Sequence, residues 1–81
     1  MGAWDNILKE CIVLNSLTFN IEINPGATYF FSDVLSGNII EKHYFEANHN
    51  NTLCVNKLIS GIYQLTVIDG ENVYNAKFEK K

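Results

Sequence analysis

At 81 residues, with a net charge of −3 and 47% apolar content, the chain describes one domain, near the small end of what folds without metal or disulfide staples. One Trp, four Tyr and five Phe give bulk for a core. No basic stripe neutralises phosphates, which argues against nucleic-acid binding, and apolar runs such as Ile12-Val13-Leu14 are too short for a membrane-spanning helix or a signal-peptide core.

Taken in chain order, the first element is a strand near 7–14. Met1 to Leu8 opens like one helical turn, but Cys11-Ile12-Val13 draws the region towards strand. Met1-Gly2 has the start of a myristoylation motif, yet Asn6 stands where that motif needs Ser or Thr. Near 17–23, Leu17, Phe19, Ile21 and Ile23 alternate with polar residues, the period of a half-buried strand. Asn24-Pro25-Gly26 is a turn, and a strand near 28–34 carries Tyr29-Phe30-Phe31 with rings on both faces. Asp33 precedes the Ser36-Gly37-Asn38 turn and reads as a carboxylate that caps local backbone amides.

Strands near 38–46 and 51–56 flank a polar turn from Ala47 to Asn51. His43 and His49 lie in this region without a third ligand nearby, too little for a metal site. Asn50-Asn51-Thr52 has the form of a glycosylation sequon. After Ser60-Gly61, Tyr63, Leu65 and Val67 alternate inward over 61–69, and Tyr74, Ala76 and Phe78 do the same over 72–79. Asp69-Gly70 between these runs is a hairpin turn, both residues tolerating positive φ. Cys11 and Cys54 sit in apolar strand contexts and are expected as two buried free thiols; a disulfide between them is the alternative.

Seven short strands at this spacing predict an all-β fold, an Ig-like antiparallel β-sandwich in which residues 1–81 form a single domain. Both termini are expected to be strand-paired or held by a partner. Gly61 is expected to admit the chain to its strand without a Cβ clash, and Tyr63 to bury its ring with the hydroxyl near the sheet edge. A strand apolar on both faces has one core to fill, so some of Trp4, Phe30 and Tyr44 should reach the surface as a contact patch.

The string Leu53-x-Val55-x-x-Leu58-x-x-Gly61-x-Tyr63, followed by the hairpin and a closing Lys77-Phe78-Glu79-Lys80-Lys81, resembles the C-terminal sorting domain of type IX secretion in Bacteroidota. Upstream, Tyr29-x-Phe31-x-Asp33-x-x-x-Gly37-x-Ile39-Ile40 is similar to that family's middle strand pair, so the resemblance spans roughly residues 17–81. Related small Ig-like sandwich domains of the same bacteria share the Gly-x-Tyr strand. The family's Pro-Asn-Pro-like opening turn has no counterpart before the first strand here. The resemblance implies a non-catalytic sorting or surface-attachment module, read by secretion machinery through Gly61, Tyr63, Lys77, Phe78, Lys80 and Lys81. It also implies a secreted or cell-surface location behind a passenger domain.

The polar residues give no catalytic constellation: no Ser-His-Asp order, nucleophile elbow, phosphate loop or CxxC motif is present. The chain is therefore expected not to be an enzyme and to need no cofactor or metal. Protein partners are expected: secretion machinery, a passenger domain or neighbouring subunits. The alternatives are a small structural or assembly protein, such as a virion decoration subunit or a cytoplasmic component, and a carbohydrate-binding sandwich with aromatics aligned on one flat face.

Overall fold

The computed structural model describes residues 4–47 and 50–81. Seven strands run through them: β1 Ile12–Val13, β2 Ser16–Thr18, β3 Thr28–Asp33, β4 Ile39–Tyr44, β5 Thr52–Cys54, β6 Gly61–Asp69 and β7 Asn72–Lys80. They form a β-sandwich of two unequal sheets. Five strands in the order β1-β7-β6-β3-β4 make the larger sheet, and β2 pairs with β5 in the smaller one. Every strand pairing is antiparallel except β1 with β7, which is parallel.

Alternation decides what fills the space between the sheets. From the larger sheet Phe31, Tyr63, Leu65, Val67, Ala76 and Phe78 face inward; from the smaller, Leu17, Leu53 and Val55 meet them, joined by Phe19 and Ile23. Register carries the rows across the strands, Tyr29–Val67–Tyr74 and Phe31–Leu65–Ala76 among them. Edge-to-face ring pairs Phe31–Phe78 and Phe19–Phe45 pack this core at centroid distances of 5.7 and 5.6 Å.

The expected strand over 7–14 is not one strand. The chain first lies beside β7, where the Asp5 N–H donates to the Asn75 carbonyl. It then crosses to the smaller sheet, where Leu8 bridges Phe19 and the Lys9 N–H donates to Thr18, and returns as β1. Ile7 and Leu8, both buried, close that flank of the sandwich during the crossing. The run over 17–23 is likewise shorter than its alternation suggests, because pairing stops after Phe19 although Ile23 still reaches the core.

The turns follow their chemistry. Ala27 N–H donates to the Asn24 carbonyl around Pro25-Gly26, with Gly26 at φ +91°, the type II arrangement. The β6–β7 hairpin corrects the expected turn by one residue. Asp69 pairs with Asn72 inside the ladder, so the loop is Gly70-Glu71, and Gly70 at φ +64° takes the first central position that a type II′ turn reserves for glycine.

Candidate functional site

The C-terminal strand is the natural place to look, since it carries most of the expected recognition residues. Phe78 is 1% exposed and stacks on Tyr63 at 5.6 Å, so both rings belong to the core. The Tyr63 hydroxyl donates to the Ile59 carbonyl at 2.7 Å, tying the crossover from β5 to the start of β6. Burial of that ring, and then the nearby Asp33 carboxylate, raise the hydroxyl above the ordinary tyrosine range. Gly61 lies beneath it. A Cβ there would stand 3.7 Å from the ring, an ordinary contact, so the expected clash is absent.

The three lysines divide. Lys80 is 8% exposed, turned inward opposite Gly61, with its ammonium donating to the Lys81 carbonyl at 3.0 Å. Lys77 and Lys81 are exposed, and Lys81 lies 3.6 Å from the Glu79 carboxylate. Lys77 lines a depression of about 370 Å³ with Trp4, Cys11, Ile12, Ile62 and Glu79. Three of its walls, Trp4, Ile12 and Ile62, are apolar and exposed. This combination, a cation beside an apolar hollow at the end of β7, was visible in the sequence only as separate residues. The N-terminal crossing that brings Trp4 and Ile12 to Lys77 leaves no local periodic signal.

The expected contact patch separates. Trp4 (50% exposed) stands by β7, whereas Tyr44 (74% exposed) is on β4 at the far edge of the same sheet, and Phe30 is half-buried on β3 next to it. The three are therefore spread from β7 to β4 rather than gathered in one patch. The expectation for the cysteines is corrected in part: both are free, but both are exposed. Cys11 precedes the two-residue β1, and Cys54 points from the outer face of β5, whose alternation sends Leu53 inward instead.

Asp33 caps its turn as its position suggests, accepting from the Leu35 N–H at 2.8 Å and the Ser36 N–H at 3.3 Å. Asp69 does more than hold its hairpin: its carboxylate accepts from the backbone and side-chain nitrogens of Asn24, fastening the Pro25-Gly26 turn to β6. His43 lies 3.5 Å from Glu41, and His49 falls outside the described residues. Among the described residues no three His, Cys, Asp or Glu side chains converge as a metal site. Comparison of the chain with protein-family models, with curated proteins and with solved structures finds no match.

Proposed function

We propose that this domain is a non-catalytic protein-recognition module of the secretion-sorting or surface-attachment kind, with its contact surface at the C-terminal end of β7. The supporting observation is the division of that strand's side chains. Phe78 and Lys80 turn inward and fix the strand, while Lys77 and Lys81 stay outside, Lys77 beside the hollow formed by Trp4, Ile12 and Ile62. Cations on and just past a paired strand, next to apolar surface, suit a partner carrying carboxylates and an apolar side chain, and they steer such a partner on approach. Gly61, Tyr63 and Phe78 then act as the frame of the surface rather than its contact points.

The test is delivery. The chain is fused behind a periplasm-directed fluorescent protein in a bacterium with type IX secretion, beside a Lys77→Glu/Lys81→Glu variant of equal thermal stability. Surface display of the parent that the variant loses supports the reading. Retention of the folded parent in the periplasm overturns it.

A second reading, a small structural or assembly subunit, draws on a different observation. Leu35 (95% exposed), Ile39 (65%) and Tyr44 (74%) present apolar surface along and beside β4. Concentration-dependent assembly of the isolated chain, measured by sedimentation, would favour that reading.

A further inference from the structure

The two sheets are unequal, and the mismatch leaves one flank open. Tyr29, Glu41 and His43 belong to the same rows as the core residues Val67 and Phe31, yet Tyr29 is only half-buried and the other two are exposed. Among the described residues no strand of the smaller sheet lies beyond β5 to cover them. Two adjoining hollows of about 230 and 240 Å³ run along this flank and share Tyr29 and Cys54 as lining.

The wall on the smaller-sheet side is a free strand edge. The Phe19 N–H donates to the Asn51 carbonyl and the Val55 N–H to the Asn15 carbonyl, so the bonded pairs are Phe19–Asn51, Leu17–Leu53 and Asn15–Val55. Antiparallel alternation then turns the N–H and C=O groups of Thr52 and Cys54 away from β2 towards the open flank. Nothing in Thr52-Leu53-Cys54 protects that edge: there is no charge, proline or bulge. The opposite wall, β4, is protected by Lys42 and by a register shift opposite Phe31 and Ser32.

Charge selects the occupant. Glu46 lines one hollow and Glu41 the other, with Tyr29 common to both; Lys57 lines the second hollow with Glu41, and His43 lies 3.5 Å from the Glu41 carboxylate. Burial, then Glu41 and Glu46 in turn, raise the Tyr29 hydroxyl, so both carboxylates bear on that hydroxyl. His43 and Phe45 already pack against that ring, at centroid distances of 5.5 and 4.8 Å, so a cation enters at its hydroxyl end, where it gains charge contacts with both carboxylates. Two copies joined edge to edge through β5 do not fit as well, because a β5 strand contains no basic residue to offer.

We propose that the free edge of β5 receives an extended segment of a partner protein, adding a third strand to the smaller sheet and placing a lysine or arginine beside the Tyr29 hydroxyl between Glu41 and Glu46. Main-chain bonds to Thr52 and Cys54 supply the affinity, and the basic side chain supplies the specificity.

The probes are two synthetic nine-residue peptides of alternating threonine and valine, one with arginine and one with glutamate at the centre, titrated into the ¹⁵N-labelled chain. The arginine peptide is expected to shift the Thr52 and Cys54 amides and slow their hydrogen exchange, and to bind about tenfold more tightly than the glutamate peptide. The Glu41→Gln/Glu46→Gln variant, altered only at exposed positions, is expected to erase that preference, and Lys77→Glu/Lys81→Glu to leave it unchanged. Equal affinities for the two peptides overturn the proposal. So does an arginine peptide that leaves the Thr52 and Cys54 amides unmoved, or shifts at those amides that arise from self-association without peptide.

Discussion

Tyr63 holds three neighbours with one side chain: its ring stacks on Phe78 and covers Gly61, and its hydroxyl bonds the Ile59 carbonyl. A hydroxyl bonding backbone a few residues upstream is the device by which Ig-type sandwiches pin a crossover. Tyr63→Phe keeps the ring and orphans one carbonyl, so it should cost about 1 kcal/mol at neutral pH in urea unfolding. The raised hydroxyl adds a pH signature. A group whose folded pKa lies above its unfolded value of 10.0 contributes its full stability below pH 10 and loses it as pH rises through the folded value. Parent stability should therefore fall on the alkaline side of pH 10, and less steeply in Tyr63→Phe, with Tyr29 supplying a remaining slope of the same sign. Equal slopes in parent and variant would show that Tyr63 does not carry the effect. Two glycines make a second contrast. Gly70 sits at φ +64°, where a Cβ is strained, so Gly70→Ala should lose about 1 kcal/mol. Gly61 has no positive φ and only ordinary contacts waiting, so Gly61→Ala should be neutral or stabilise by about 0.5 kcal/mol.

At the scale of elements, β4 is the exposed edge of the larger sheet, and all six of its residues are exposed. Its bonds to β3 fall at Glu41 and His43, continuing the Phe45–Ala27 contact, so the backbone groups of Lys42 and Tyr44 point outward. Lys42 lies in the middle of that edge, and the register shift breaks its line, two devices that hinder edge-to-edge pairing. Lys42→Val should leave the fold intact and convert a concentration-independent sedimentation profile into one that associates as concentration rises. An unchanged profile would assign the protection to the register shift alone. The elements also show what could be read in advance. Period-two alternation identified the inward residues of β6 and β7, and Leu17 and Phe19, because burial on one face is written locally. Partners are not written locally. The β2–β5 pairing, the parallel joining of β1 to β7 and the crossing at Ile7–Leu8 each depend on chain distant in sequence. The same limit applies to the site. Exposure of Lys77, Trp4 and Tyr44 could be read from position, but not that Lys77 and Trp4 share a hollow while Tyr44 stands at the other edge.

For the molecule as a whole, the question is whether the small sheet can open by itself. β2 and β5 are three residues each, and a two-stranded pair is marginal alone. Against that, Leu17 (0% exposed) and Val55 (1%) are embedded in the same cluster as Leu65, Val67 and Phe78, so separating the sheets uncovers most of the core at once. With one shared core, the second effect dominates, and unfolding should be a single cooperative step. Trp4 makes this measurable, since it is the single tryptophan and lies on the segment that joins β7 at Asn75 to β2 at Thr18 and Phe19. Its fluorescence reports the crossing, while far-ultraviolet circular dichroism reports the ladders. The two urea transitions should coincide, and Leu17→Ala, which leaves a cavity under the small sheet, should move both midpoints down together by about 2–5 kcal/mol of stability. A fluorescence transition that precedes the loss of circular dichroism would instead mean that the N-terminal crossing and the small sheet detach from the larger sheet before its strands separate.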